Sequence, residues 1–461
     1  MSELLWTSSE VAAAVNGRLS GPAFLAEGVS IDSREVEAGD LFVALSGERD
    51  GHEFVPAALK SGATGSLVSK AAPGSAILVD DTLAALADLG AAARDRAAEA
   101  RRGAVTGSVG KTSVTQAVLA GLKLAGDGHG SVRSFNNHIG VPLTLARMPR
   151  STRRAVFEMG MNHAGEIAPL SRLVRPHAVA VTNVEAVHVE NFPDGEAGVA
   201  KAKAEVFAGL EVGGAAILNA DNAWTGELAS AARAAGGHVR TFGAEESADA
   251  RLIRIRATSE GAEVESRIDG ATFDYTLRQS APHWGPMSLC AVLMLQALGL
   301  ELADAARALS AFEPLAGRGA AMEVTGRRGA FTLIDESFNA SPVSVAAALA
   351  ALGARPADGR RIAVLTDMLE LGTDAPARHA AMAETVESAG IDLVFCAGPL
   401  MRSLWDALPT ARRGAWAPSA ADLAPALTEA VGAGDVVMAK GSKASKASLL
   451  VRALVDVGEA G

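Results

Sequence analysis

From residue 101 onward, short strand-like runs alternate with helical patterns, and this alternation most limits the folds open to the chain. The runs are rich in β-branched residues and include "RRAVFEMG", "PHAVAVTNV" and "GGAAILNAD". Strands that alternate with helices in this way form βαβ units around a parallel sheet. The alternation resumes after "EPLAGRG" with "FTLIDES", "RIAVLTD", "IDLVFCAG" and "DVVMAKG". It therefore predicts a second α/β domain that starts near residue 315.

The sequence predicts an α/β protein of three domains: a small N-terminal α/β domain over 1–100, a central parallel-sheet domain over 101–314, and a Rossmann-like domain over 315–461. The N-terminal part mixes the short strands "DLFVAL" and "GSLVS" with a helix from about Thr82 to Arg101. Residues 250–277 alternate with a period of two and turn at glycines, which predicts an antiparallel appendage to the central sheet. A helix from about Pro286 to Leu298 follows.

Composition and charge narrow the class of protein. The 461 residues are 49% hydrophobic and carry a formal net charge of −11, which argues against a nucleic-acid-binding protein. A small phosphorylated ligand is still compatible, because it needs only a local positive field. Cys290 and Cys396 lie in apolar stretches, so we expect buried thiols in a reducing compartment. The sequence has neither a signal-peptide pattern nor an apolar run of about 20 residues, which predicts a cytoplasmic protein with no membrane insertion.

The segment "AVTGSVGKTSVTQAVL" predicts a phosphate-binding loop that leads into a helix. Gly107 and Gly110 let backbone N–H groups approach phosphates, Lys111 supplies a positive charge, and Thr112 offers a hydroxyl to Mg²⁺. The loop departs from the usual G-x-x-x-x-G-K-[ST] pattern, because Val105 stands where that pattern has a glycine. The alternative is a glycine turn that happens to precede Lys and Thr. The strand–loop–helix context favours the phosphate site.

Polar residues follow the next two predicted strands. Glu158 ends one strand, Asn183 ends the next, and His188 comes five residues later. Because the carboxyl ends of parallel strands open on one edge of a sheet, we expect Glu158 and His188 near the phosphates as Mg²⁺ ligands. Taken singly, Glu158 could equally be a solvated acid in a loop, and His188 could equally be a hydrogen-bonded histidine with no metal. In "GVAKAKAEVF", Lys201 and Lys203 are two apart and point in different directions, and the pattern alone favours surface positions for both.

These motifs together resemble the ATP-dependent Mur ligases of peptidoglycan synthesis. That family has a phosphate loop of the form T-G-[ST]-x-G-K-T/S, and "TGSVGKTS" matches it. The matching residues are Thr106, Gly107, Ser108, Val109, Gly110, Lys111, Thr112 and Ser113. The resemblance runs nearly end to end and includes "GDLFVALSGERDGHEFVPAAL" and "NNHIGVPLTLARMP". The pairing of "GMNHAGEI" with "DESFNASP" resembles the ligase that adds a dipeptide, since sister ligases usually carry "DYAHTP"-like or "DDYGHHP"-like segments at the latter place.

The resemblance implies a ligase that uses ATP and Mg²⁺ to join D-alanyl-D-alanine to UDP-N-acetylmuramoyl-tripeptide through an acyl phosphate. It implies that Lys111 and Thr112 bind the phosphates and the first Mg²⁺ and that Glu158 is a further ligand of that ion. It also implies that His188 binds a second Mg²⁺. Lys203 falls where the family carries a carbamylated lysine, and a buried lysine with a lowered pKa is neutral often enough to react with CO₂.

Further residues of the resemblance lie in the outer domains. Arg318, Asp335 and Asn339 resemble residues that the C-terminal domain brings to the phosphates and ribose of ATP. The residues expected to hold the UDP-muramoyl substrate are Ser33, Arg34, Ser46, Asp50, His52, Asn137, Asn162 and His163. Arg318 and Asp335 could instead form an ion pair, and Ser33 and Arg34 an ordinary turn. The segment "DMLELG" has no assigned chemistry.

One departure concerns adenine. Where the family often carries "GRHNxxNAL", this chain reads "APHWGPMSL", so Trp284 and Met287 stand at the asparagine positions. We expect adenine to stack on Trp284 or to contact the backbone at this place.

Competing functions are a sister Mur ligase, a folylpolyglutamate-type ligase, a P-loop regulatory NTPase and a non-catalytic scaffold. We expect a monomer that binds no nucleic acid.

Overall fold

Parallel strands and helices alternate along most of the chain, as the sequence predicts. The computed structural model describes residues 4–459 except 48, 127, 133, 187, 188 and 259, and only the backbone at 189 and 457–459. The chain divides into two compact units. The first comprises Met1–Asn183, Ala200–Phe242 and Cys290–Ala308, and the second Val184–Val199, Gly243–Leu289 and Leu309–Gly461. The domain boundaries after residues 100 and 314 stay predictions.

The first unit begins with a five-stranded sheet of order β2-β7-β6-β5-β4, in which only β2 is antiparallel to its neighbour. A separate two-stranded sheet pairs β1 with β3. The strands are β1 Trp6–Thr7, β2 Arg18–Ser20, β3 Leu25–Ala26, β4 Gly28–Ser30, β5 Asp40–Val43, β6 Gly65–Val68 and β7 Ala76–Leu78. The helices are α1 Ser8–Ala14, α2 Val55–Lys60 and α3 Thr82–Arg96. Asp81 accepts the N–H groups of Leu83 and Ala84 and so starts α3, which ends five residues before the predicted Arg101.

The same unit contains six parallel strands in the order β13-β12-β11-β8-β10-β9. They are β8 Arg101–Thr106, β9 Gly128–Gly130, β10 Arg154–Glu158, β11 Ala178–Val181, β12 Ala215–Asn219 and β13 His238–Gly243. The helices along this part of the chain are α4 Lys111–Leu124, α5 Gly140–Ala146, α6 Ile167–Val174, α7 Glu196–Ala204 and α8 Thr225–Ala234. The inner strands are buried over most of their length, because helices flank a parallel sheet on both faces. This burial fixes the strand ends that carry the candidate site.

The antiparallel strands predicted over residues 250–277 are confirmed: β14 Ala250–Thr258, β15 Gly261–Ile268 and β16 Ala271–Leu277 form a meander. Two helices follow, α9 Trp284–Ala297 and α10 Leu302–Ala311. The C-terminal sheet has the order β17-β18-β22-β19-β20-β21, and only β17 is antiparallel. Its strands are β17 Ala320–Gly326, β18 Gly329–Glu336, β19 Arg361–Thr366, β20 Leu393–Ala397, β21 Arg413–Ala417 and β22 Val436–Lys440.

Five helices complete the C-terminal sheet: α11 Pro342–Ala354, α12 Ala375–Ser388, α13 Met401–Ala407, α14 Ala420–Ala430 and α15 Ala447–Glu459. Short 3₁₀ helices lie at Gly51–Phe54, Val189–Asn191, Glu205–Gly209, Gly372–Asp374, Thr410–Arg412 and Lys443–Ser445. Cys290 and Cys396 are buried thiols, as expected, and burial raises the pKa of Cys396 to about 12. In the described ranges, every helix is too short or too polar to cross a bilayer.

Candidate active site

The glycines of the phosphate loop take backbone conformations that other residues rarely adopt. Gly107 has φ +146° and Gly110 has φ +83°. A Cβ on Gly107 would lie 1.9 Å from Thr182 Oγ1, so no larger residue fits without a shift. Gly110 is the N-cap of α4, which places the positive end of that helix at the loop. The predicted strand, loop and helix are therefore all present.

Lys111 reaches back over this loop from the first turn of α4. Its Nζ donates to the carbonyl oxygens of Gly107 (2.8 Å) and Ser108 (3.2 Å). Thr112 and Ser113 follow it and are buried at the start of the helix. An ammonium group, a helix N-terminus and glycine N–H groups thus meet at one point, which is the arrangement that binds phosphate groups.

Residues at the end of β11 hold the loop in place. Asn183 accepts the N–H of Val109 through Oδ1 and the N–H of Ser108 through its carbonyl, both at 3.0 Å. The Thr182 hydroxyl donates to the Val109 carbonyl (2.6 Å). Asn183 was predicted as a strand end, whereas Thr182 was not predicted. The only signal for Thr182 is its position directly after a buried strand.

Glu158 is the buried carboxylate beside the loop, with 1% of its surface exposed. It ends β10 and pairs in register with Val105 of β8, so the predicted meeting of strand ends at one edge is confirmed. Asn136 Nδ2 donates to Glu158 Oε1 (2.7 Å). Glu158 Oε2 has no hydrogen-bond partner among the described residues. A buried carboxylate oxygen without a partner is costly, and Mg²⁺ takes such oxygens as ligands.

Asn136 is a site residue that was not predicted from the sequence, whereas its neighbour Asn137 was. Asn137 is exposed, and its Oδ1 accepts the N–H groups of Ile139 (3.2 Å) and Gly140 (2.9 Å). It therefore caps the turn before α5. Its expected contact with the muramoyl substrate stays a prediction. The doubled asparagine in "NNHIG" was the available signal for Asn136.

Lys203 is buried near the end of α7, with 3% of its surface exposed, whereas Lys201 is exposed. The expected divergence of the two side chains is confirmed, and the surface position that the pattern favoured for Lys203 is wrong. Burial, and then the charge of Lys111, lower the pKa of Lys203 well below its ordinary value. Both effects disfavour the ammonium form and favour the neutral, nucleophilic amine. His188, the other predicted metal ligand, lies outside the described residues.

In the second unit, Arg318 lies in a loop beside Asp335. Asp335 Oδ2 accepts the N–H of Gly317 (2.9 Å), and its Oδ1 accepts the N–H of Ser337 (3.0 Å). Asn339 is exposed, and its carbonyl accepts Lys440 Nζ (3.1 Å). The Asp335 carboxylate thus already accepts a hydrogen bond from the backbone of the Arg318 loop. The expected contacts of Arg318, Asp335 and Asn339 with ATP stay predictions.

A cavity of about 280 Å³ lies in this unit, and its lining includes Trp284, Arg318 and Glu336. Trp284 is 2% exposed and packs against Phe312, with ring centroids 5.8 Å apart. Glu336, which is partly exposed, forms an ion pair with the buried Lys440 (3.2 Å). Adenine stacking on Trp284 stays a prediction, as does the consequence of Met287.

The residues expected to bind UDP fall into two clusters of the N-terminal part. Ser46 and Asp50 form an isolated antiparallel β-bridge through their backbones, and Asp50 Oδ1 contacts His52 Nδ1 (2.6 Å). His52 Nε2 accepts the N–H of Ser69 (2.9 Å), so both ring nitrogens of His52 have partners. The Lys70 ammonium and then His52 hold the pKa of Asp50 well below its usual range.

The second cluster is an exposed turn in which Arg34 pairs with Asp32 (2.5 Å) beside Ser33. This pairing holds the pKa of Asp32 at about 2. Away from both clusters, Asn162 and His163 contact Glu166 in an exposed turn. The structure therefore brings Ser46, Asp50 and His52 together. The expected contacts of all these residues with the UDP-muramoyl substrate stay predictions.

Comparison with known proteins identifies the family. Three family models match successive parts of the chain: the Mur ligase family catalytic domain at 26–96, the Mur ligase middle domain at 105–294 and the Mur ligase glutamate ligase domain at 322–443. The UDP-N-acetylmuramoyl-tripeptide–D-alanyl-D-alanine ligase of Escherichia coli is 36% identical over 85% of this chain and 86% of its own length. The enzyme of the same name from Rickettsia prowazekii is 30% identical over 97% and 99%.

The chain belongs to the Mur ligase family. A crystal structure of MurF from Acinetobacter baumannii has a TM-score of 0.86 with this chain at 26% identity, covering 98% of this chain and 99% of that one. The N-terminal, middle and C-terminal Mur ligase domains therefore follow one another along the chain.

Proposed function

We propose that this chain joins D-alanyl-D-alanine to UDP-N-acetylmuramoyl-tripeptide at the expense of ATP. The products are UDP-N-acetylmuramoyl-pentapeptide, ADP and phosphate. The observation that carries the proposal is that the phosphate loop under Lys111 lies beside the buried Glu158, whose Oε2 has no hydrogen-bond partner among the residues that the structure describes. Two relatives of matching length that carry the corresponding ligase name support the choice of substrates.

In the first step, the terminal carboxylate of the tripeptide attacks the γ-phosphorus of ATP. The bond to the bridging oxygen breaks, ADP leaves, and an acyl phosphate forms. Charge builds on the phosphate oxygens during this transfer, and Lys111 and the N–H groups of the loop would stabilise it. Thr112 and Glu158 would hold Mg²⁺ beside these oxygens, with His188 and Lys203 as proposed partners. When bound, the ion would neutralise part of the phosphate charge.

In the second step, the neutral amine of D-alanyl-D-alanine attacks the acyl carbon. The C–N bond forms, the C–O bond to phosphate breaks, and the amine gives up a proton as phosphate leaves. Exclusion of water matters here, because water would hydrolyse the acyl phosphate. In this proposal, Arg318 binds the nucleotide phosphates.

The proposal also makes Lys203 a carbamate. A neutral lysine amine adds to CO₂, loses one proton and becomes an anion that can orient a cation. We expect protein equilibrated with isotope-labelled bicarbonate to show one carbamate signal by NMR near neutral pH. Acidification should remove this signal, because the amine becomes protonated and CO₂ is released.

The neighbouring lysine provides the matched control for that measurement. Lys203→Met should abolish the carbamate signal and ligase activity together. Lys201→Met, which changes an exposed lysine two residues away, should retain both. A signal that persists in Lys203→Met, or full activity of that variant, would contradict the carbamate assignment.

The choice of acceptor tests the proposed function directly. Purified protein is mixed with ATP, Mg²⁺ and UDP-N-acetylmuramoyl-tripeptide, and then with D-alanyl-D-alanine, L-alanine, D-glutamate or lysine in separate reactions. We expect a new amide product in the mass spectrum only in the reaction that contains D-alanyl-D-alanine as the acceptor. Product formation only with a single amino acid would instead assign the chain to a sister ligase.

A further inference from the structure

The loop that carries Arg318 is held on both sides of that residue by Asp335 of β18. Gly317 has φ +73° and Gly319 has φ +93°, so both flanking residues are in the region that favours glycine. The N–H of Gly317 donates to Asp335 Oδ2 (2.9 Å), and the N–H of Gly319 donates to the Asp335 carbonyl (2.8 Å). The main chain of Arg318 is therefore fixed.

Phe338 adds a contact to the side chain of Arg318 itself. The guanidinium carbon of Arg318 lies 3.9 Å from the centroid of the Phe338 ring. The N–H of Phe338 also donates to the Gly317 carbonyl (3.1 Å), which sets the ring against the loop. A cation is attracted to the face of an aromatic ring. Phenylalanine has no hydrogen-bond acceptor, so the ring takes none of the in-plane N–H donors of the guanidinium.

We propose that Phe338 is a positioning residue, which orients the Arg318 guanidinium for the phosphates of the nucleotide. The proposal rests on the role given to Arg318 under the proposed function. An arginine side chain loses rotamer entropy when it is fixed, and stacking on Phe338 restricts the side chain before the ligand binds, so less entropy is lost on binding. The edge of the guanidinium can then form paired hydrogen bonds with phosphate oxygens. Phe338 thus strengthens nucleotide binding without touching the nucleotide.

A double-mutant cycle tests this coupling. The readouts are the affinity for a non-hydrolysable ATP analogue by calorimetry and the kcat/KM of ligation for ATP. Phe338→Leu should weaken both by about 3- to 30-fold, the range of a cation–π contact. Phe338→Tyr keeps the aromatic face and should stay within about twofold of the parent protein. In an Arg318→Ala background, Phe338→Leu should change the affinity by less than about twofold, because the group it positions is gone.

A second aromatic pair in the same unit supplies the control. Arg413 lies over Trp405 at 5.8 Å, and Trp405→Leu should leave nucleotide affinity within about twofold. Phe338→Met serves as a second variant if Phe338→Leu lowers the thermal midpoint. The proposal is overturned if Phe338→Leu has its full effect in the Arg318→Ala background, or no effect when Arg318 is present. It is also overturned if Arg318→Ala alone leaves affinity unchanged.

Failure of the proposed function would look different. A protein that binds the ATP analogue but does not ligate D-alanyl-D-alanine would contradict the substrate assignment. The affinity cycle would still give a value for the coupling between Phe338 and Arg318.

Discussion

Replacement of Lys111 by alanine should reduce ligase activity by about 100- to 1,000-fold, the loss that follows removal of one charge-stabilising donor from a transition state. The Nζ of Lys111 bridges the carbonyls of Gly107 and Ser108, so it stands over the position where phosphate oxygens would bind. The fold should survive, because Lys111 is only partly buried and its removal opens no core cavity. Steady-state rates and the thermal midpoint measure the two effects separately.

Lys123 provides the control for this variant. It is an exposed lysine in the last turn of the same helix α4, so Lys123→Ala removes the same charge from the same element. We expect Lys123→Ala to keep activity within about twofold, as is usual for a surface substitution. A Lys111→Ala enzyme with more than about a tenth of the parent rate would contradict the role given to the loop lysine.

Replacement of Glu158 by glutamine should lower ligase activity about as much as Lys111→Ala does, but for a different reason. The change keeps the shape of the side chain and removes the negative charge at a 1% exposed position. The Oε2 atom, which has no partner in the described part of the chain, would lose its affinity for a divalent cation. We expect activity to fall by about 100-fold or more, as when charge stabilisation by one group is lost.

Binding of Mn²⁺, followed by electron paramagnetic resonance, gives a readout for Glu158→Gln that does not depend on turnover. The variant should bind the ion in the presence of ADP at least about tenfold more weakly, because a charged oxygen ligand is replaced by a neutral one. Glu227→Gln changes an exposed glutamate in the first turn of α8 and serves as the control. Unchanged Mn²⁺ affinity in Glu158→Gln would exclude Glu158 as a ligand.

The parallel sheets and the phosphate loop could be predicted from the sequence because they depend on local patterns. Buried strands are nearly continuous apolar runs, and the loop needs its glycines at fixed positions. The strands β17 and β21 were not predicted. Both are edge strands of the C-terminal sheet, and the alternating exposure of β17 gives a weaker signal than a buried run.

The site residues that escaped prediction depend on contacts that are distant in sequence. Asn136 meets Glu158 across 22 residues, and nothing local separates it from Asn137. Lys203 lies in a helix of small residues that has no clear polar face, so its burial depends on what packs around it. Phe338 reaches Arg318 only because β18 returns the chain to the loop.

The central claim is that ATP is consumed only when a peptide bond is made. The most direct measurement is phosphate release from ATP and Mg²⁺ with each substrate alone and with both together. We predict sustained release only when UDP-N-acetylmuramoyl-tripeptide and D-alanyl-D-alanine are both present, with one pentapeptide formed for each phosphate. Release at the same rate without either substrate would contradict this account and would make the chain a P-loop NTPase.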